Sequence, residues 1–142
     1  MFDKRKKISL KPTSEHFETL VGKTSEIFGR MVIAHSLRID GKVVGNIESD
    51  PDARVTVAIG EGAVVIGDIT AYRVMVAGKV EGNIYAKERA DFYETAVVRG
   101  DVTYGTIGIE HGSQIIGLII QGAQINPAID ANAVIREAQK QR

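Results

Sequence analysis

Leu37-Arg38-Ile39-Asp40-Gly41-Lys42-Val43-Val44-Gly45-Asn46-Ile47 returns further along the chain as Val74-Met75-Val76-Ala77-Gly78-Lys79-Val80-Glu81-Gly82-Asn83-Ile84. Working outward, the same phrase surrounds six glycines: Gly29, Gly45, Gly67, Gly82, Gly100 and Gly117. Two residues before each stands Ile27, Val43, Val65, Val80, Val98 or Ile115, and two after stands Met31, Ile47, Ile69, Ile84, Val102 or Ile119. Eight before stands Val21, Leu37, Ile59, Val74, Phe92 or Ile109. All eighteen are large and apolar, where a 44% apolar background gives about eight. Four before the glycine the residue is always small: Ser25, Gly41, Ala63, Gly78, Ala96 or Ser113.

The glycines are 16, 22, 15, 18 and 17 residues apart. Apolar positions at even offsets alternate as in a strand, so each unit holds a few short strands rather than a helix. Strands of three to five residues cannot bury a core as hairpins. They can if the chain coils, each strand lying parallel to its counterpart one turn on, with inward side chains stacked in columns. The small residue and the glycine then fall at corners, where a Cβ would clash or φ must be positive. The spacing of 22 requires an insertion, which Ser49-Asp50-Pro51-Asp52 supplies as a turn-forming loop. The spacings of 15 and 18 require trimmed or extended corners. The expectation is an all-β, single-domain parallel β-helix of about six turns, near 29 Å long at about 4.8 Å per turn.

Composition sets bounds. The chain has 142 residues, enough for one core. Aromatics are only 6% and Trp is absent, as a thin core of Val and Ile requires. There is no Cys, so neither disulfides nor thiolate metal sites are available. Zero formal charge argues against a nucleic-acid partner.

The charge is unevenly placed. Residues 1–11 carry five basic side chains and one acidic, a net of +4, against −4 for the remainder. No apolar run follows, so this is not a signal peptide, and no stretch is long enough to span a bilayer. Residues 1–18 form a basic tail with two readings: a solvated terminus, or a surface anchor. In the second, Met1 and Phe2 enter the lipid interface while Lys4, Arg5, Lys6 and Lys7 face anionic headgroups. At roughly 1 kcal/mol per basic residue, one such tail binds weakly, and only many acting together anchor firmly.

A coil of stacked strands has two ends, each exposing unpaired backbone groups over an open apolar column. The expected self-association surfaces are therefore the terminal turns, with Val21, Ile27 and Met31 at one end and Ile115, Ile119 and Ile120 at the other. Beyond the coil, residues 123–142 form a flexible tail in which Asn126-Pro127 has the form of a helix start.

From Thr19 to Gly122 the chain resembles the bactofilins, polymer-forming cytoskeletal proteins of bacteria. The resemblance rests on the two stretches that open this section and on Val98-Arg99-Gly100-Asp101-Val102. It implies a right-handed parallel β-helix that joins end to end into filaments without bound nucleotide. It implies attachment to the inner face of the cytoplasmic membrane through a short N-terminal motif, matched here by Met1-Phe2 and Lys4 to Lys7. It also implies a scaffold for cell-wall hydrolases or synthases in cell-shape control or motility. The tails here are short and lack proline-rich stretches, unlike those of many members.

Catalysis finds little support in the residues. Acyltransferases with left-handed β-helices are the rival reading, yet their apolar residue every six positions fails here: from Leu37 it meets Val43 and then Ser49, and from Val74 it meets Val80 and then Ala86. Their zinc-dependent relatives need three converging histidines, and His16, His35 and His111 form no close pair. Gly60-Glu61-Gly62 lacks the rest of a phosphate loop, and Asp50 with Asp52 falls short of a calcium shell. No nucleophile context is present. The expectation is no enzyme, no cofactor, no metal and no nucleotide.

Overall fold

The structure is a computed structural model, and it describes residues 16–122. The tail residues Met1 to Lys7 and the helix expected after Asn126 lie outside the described residues.

Three strands make a turn. The first turn is β1 (Thr19–Val21), β2 (Glu26–Phe28) and β3 (Met31–Val32); the second is β4 (Leu37–Ile39), β5 (Lys42–Val44) and β6 (Ile47–Glu48). A 3-10 turn, Pro51–Ala53, leads into β7 (Thr56–Ile59), followed by β8 (Val64–Ile66) and β9 (Ile69–Val76). Then come β10 (Lys79–Glu81), β11 (Ile84–Phe92), β12 (Val97–Arg99), β13 (Val102–Ile109), β14 (Gln114–Ile116) and β15 (Ile119–Gln121). The long strands β9, β11 and β13 each bend across two faces, so strands are not all as short as the spacing suggests.

Every pairing is parallel. One face is a six-stranded sheet in the order β14-β12-β10-β8-β5-β2, and a nine-stranded sheet wraps the other two faces. The result is a β-solenoid of about six turns. Its core is built of columns, as the alternation requires: Ile27-Val43-Val65-Val80-Val98-Ile115 on the first face and Met31-Ile47-Ile69-Ile84-Val102-Ile119 on the second.

The third column corrects the sequence reading. Residues eight before the glycine do not form one stack. Val21-Ile39-Ile59-Val76-Phe92-Ile109 is one column, and Thr19-Leu37-Val57-Val74-Ala90-Ile107 is its neighbour. Leu37 and Val74 belong to the second. The cause is corner length: the corners at Gly41 and Gly78 are two residues shorter than those at Ser25, Ala63, Ala96 and Ser113. Counting back eight therefore overshoots by two, and because strand parity is two the residue found is still inward and apolar.

The short corners also explain their own glycines. A Cβ on Gly41 would overlap the carbonyl oxygens of Gly22 and Ser25, and one on Gly78 would overlap that of Gly60. The remaining irregularities fall at bends. The insertion is the loop around Pro51–Ala53, capped by the Asp50 side chain accepting from the Asp52 N–H at 2.9 Å. The extra residue of the 18 spacing is a bulge between Ala86 and Arg89, where β11 passes from one face to the next.

Candidate functional site: the two terminal turns

The strands of the first and last turns are paired on one side only among the described residues. Each end thus presents a ring of strand edge around the end of the columns, and the two rings differ in chemistry.

In the first turn the inward Ile27 and Met31 are half-buried, while Val21 is only 3% exposed. Leu20, Phe28 and Val32 point outward and are exposed. Charged groups are interspersed: Lys23, Glu26 and Arg30. Arg30 donates to Glu48 Oε1 from Nε at 2.9 Å, with Nη2 at 2.8 Å, tying the first turn to the second. That hydrogen bond to the guanidinium holds the Glu48 carboxyl below its usual range.

In the last turn the inward Ile115 is half-buried, Ile119 is 44% exposed and Ile109 is 52% exposed. The outward Ile116, Leu118 and Ile120 are exposed as well. From Gly112 to Gln121 no side chain is ionisable, for the run is Gly-Ser-Gln-Ile-Ile-Gly-Leu-Ile-Ile-Gln. Of the expected self-association residues, the fold therefore brings Val21, Ile27 and Met31 to one end and Ile115, Ile119 and Ile120 to the other. It places Ile120 on the outer surface rather than in a column, since Val102 pairs with Ile119 and Thr103 with Ile120.

Sequence reasoning missed a polar ladder beside the glycine corner. Asn46 Oδ1 accepts from the Asp68 N–H at 2.9 Å, Asp68 from Asn83 at 2.8 Å, Asn83 from Asp101 at 2.9 Å, and Asp101 from Leu118 at 3.0 Å. Each Asn or Asp side chain thus satisfies a backbone donor one turn of the coil further on. The signal was present as the Asn or Asp that follows four of the six glycines. The ladder stops at Leu118, whose apolar side chain offers no further acceptor.

The other polar groups serve the fold. Asp91, 3% exposed, accepts from Arg89 Nε at 2.9 Å, and its Oδ1 lies 2.9 Å from Arg89 Nη2. Burial, with Asp91 and Glu110 nearby, pushes the Tyr93 phenol up to about 12, leaving it neutral and a poor proton donor at ordinary pH. Among the described residues no group of three or more His, Cys, Asp and Glu is placed to hold a metal ion, and no helix is long and apolar enough to cross a membrane.

A parallel solenoid whose end strands are, among the described residues, unpaired on their outer side is built of stacked repeats. The family model for bactofilins, described as polymer-forming cytoskeletal, matches residues 19–120, and the chain belongs to that family. It is accordingly a protein of a cytoskeletal, filament-forming family, and the hexapeptide acyltransferase reading has no comparable support. No match was found among curated proteins or among solved structures.

Proposed function

We propose that this chain assembles end to end through its terminal turns into filaments that need no nucleotide, and that it acts as a structural scaffold rather than an enzyme. The observation that carries the reading is the last turn: Ile109, Ile115 and Ile119 continue core columns yet remain exposed or half-exposed, and no side chain from Gly112 to Gln121 is ionisable. Burying what remains exposed of the three contributes on the order of 2–4 kcal/mol. Association itself costs roughly 4–15 kcal/mol, so ladder hydrogen bonds and the partner's own columns must supply the difference.

Ile119→Arg tests this. An ion buried without a partner at the junction is strongly unfavourable. The variant should give short soluble species by sedimentation and negative-stain microscopy. Filaments of ordinary length under the same conditions would remove the C-terminal turn from the junction.

The same reading includes a membrane-associated filament on the cytoplasmic face, held by Met1, Phe2, Lys4, Arg5, Lys6 and Lys7 and serving factors of cell shape or the cell wall. Its support is the net +4 of residues 1–11 and the avidity of many tails on one polymer. Deleting residues 1–7 should leave filaments intact but lower their co-sedimentation with anionic vesicles, as should added salt. Unchanged lipid binding after the deletion would count against the tail.

A further inference from the structure

The two irregularities of the coil, the insertion before β7 and the bulge in β11, meet at one corner. Lys87, in the bulge, forms an ion pair with Asp52 in the inserted loop and fixes that loop against the body. The loop ends at Arg54, the only described residue other than glycine with positive φ, at 58°. Its guanidinium lies 5.6 Å from the centroid of the Tyr72 ring, at the bend of β9. Between loop and bend lies an open pocket of about 240 Å³ lined by Arg54, Thr56, Tyr72, Arg73 and Glu88.

Arg73 is the unusual member. Its Nε is buried and, among the described residues, has no hydrogen-bond partner. The nearest carboxylate, Asp91, is already engaged by Arg89, whose Nε lies 2.9 and 3.1 Å from the two oxygens. Asp91 approaches Arg73 only at 3.8 Å, through Nη2. Among the described residues Arg54 has no carboxylate partner, and Glu88 forms no ion pair with either arginine. A buried donor left unmatched is costly, and an arginine fork is shaped to receive two oxygens of one planar group.

We infer that this corner is a carboxylate-binding site, which takes an aspartate or glutamate side chain from an acidic peptide segment of a partner protein. Charge decides the class. Two arginines against Glu88 leave a net of +1, which matches a monoanionic carboxylate, whereas a doubly charged phosphate would be left partly uncompensated beside Glu88. Arg54 closes the site from the loop, the exposed side of the Arg73 guanidinium receives the oxygens, and the Tyr72 ring offers an apolar wall to the methylene stem. The strained backbone at Arg54 holds a cation at a position glycine would occupy more easily, and strain of this kind collects at functional sites. The pocket exists in each subunit whether or not it polymerises. If subunits stack as proposed above, it recurs along the filament and a segment with several acidic residues gains avidity.

Arginine-specific modification by phenylglyoxal, read at each site by mass spectrometry, tests the assignment on the full chain. A tetraglutamate peptide amide should slow modification of Arg54 and Arg73 together by about fivefold or more, while a tetraglutamine peptide does not. Arg99, exposed on the six-stranded face, serves as the reference and should react at an unchanged rate. In Arg54→Gly the loop keeps its left-handed residue but loses the cation, and the protection of Arg73 should largely disappear. No protection by tetraglutamate, equal protection at Arg99, or full protection of Arg73 in Arg54→Gly would overturn the site. Protection by inorganic phosphate at the same concentration as strong as that by tetraglutamate would overturn its assignment to carboxylates. A thermal unfolding profile for Arg54→Gly matching that of the wild type keeps the variant interpretable.

Discussion

Val21 and Ile109 are the first and last members of the same column, yet one is 3% exposed and the other 52%. The first turn is interspersed with charge and clasped to the second by Arg30 and Glu48; the last is uncharged from Gly112 to Gln121 and held by Asp101 accepting from the Leu118 N–H. Two rings of strand edge with the same geometry are thus unequal surfaces. Backbone alone makes both ends able to pair, but side chains make the C-terminal ring the more apolar one. A repeat protein normally lids such ends with polar capping units. Here the outward residues of both terminal turns include exposed apolar side chains, the reverse of a cap.

The sharpest way to separate an end from the interior is the glycine column. A Cβ on Gly82 would overlap the Gly67 carbonyl, while a Cβ on Gly29 meets nothing within 4 Å, since among the described residues no turn precedes it. Gly82→Ala should destabilise the subunit by on the order of 3–5 kcal/mol, and Gly29→Ala, with its φ of 133°, by on the order of 1–2 kcal/mol from backbone strain alone. Chemical denaturation in the assembly-deficient Ile119→Arg background measures both. Equal losses would mean that the first turn is stacked like any other. If Gly29→Ala abolishes filaments without this loss, a terminal turn of the next subunit sits on the first turn.

A smaller effect compares two isoleucines of one column in the same background. Ile59, 1% exposed, should cost about 2–5 kcal/mol when cut to Ala. Ile109→Ala should cost about 1 kcal/mol or less in the subunit, since half of the side chain already meets water. In the polymerising chain Ile109→Ala should nonetheless raise the concentration needed for assembly. An unchanged threshold would show that Ile109 stays exposed in the filament.

The smallest effect concerns the clasp of the first turn. Glu48 has its folded pKa lowered, so its contribution is present above the unfolded value and is lost as pH falls through the folded one. Acidification across that window should lower the protection factor of the Met31 amide, its intrinsic exchange rate divided by the observed one; that N–H donates to the Asn46 carbonyl at 2.8 Å. Glu48→Gln should remove the pH dependence of that protection factor and lower it throughout. An exposed pair of this kind is weak, so exchange is a better reporter than global stability.

Much of the fold was legible because its signal is local. The columns at two before and two after the glycine align correctly in all six turns, since the stretch from Ile27 to Met31, or from Val80 to Ile84, holds no corner of variable length. The column eight before it slipped at Leu37 and Val74, since that count crosses a corner whose length changes. The Asx ladder was visible as a residue type but not as a bond, which needs the next turn's N–H in place. The pocket was invisible: Arg54, Arg73 and Glu88 belong to three different passes of the chain, and the loop and the bulge that bring them together are departures from the repeat.

The amino-acid order alone determined that strands alternate inward and outward, that small residues stand at the corners, and that the chain coils through about six turns. These follow from the period of two in a strand and from the space a Cβ needs, both set within a few residues. The tertiary structure decided which residues share a column, how far each end of a column is exposed, and which side chains meet across the irregular corner. Register between turns depends on every corner length between them, and burial depends on what lies one turn beyond, so neither can be settled by neighbours in sequence.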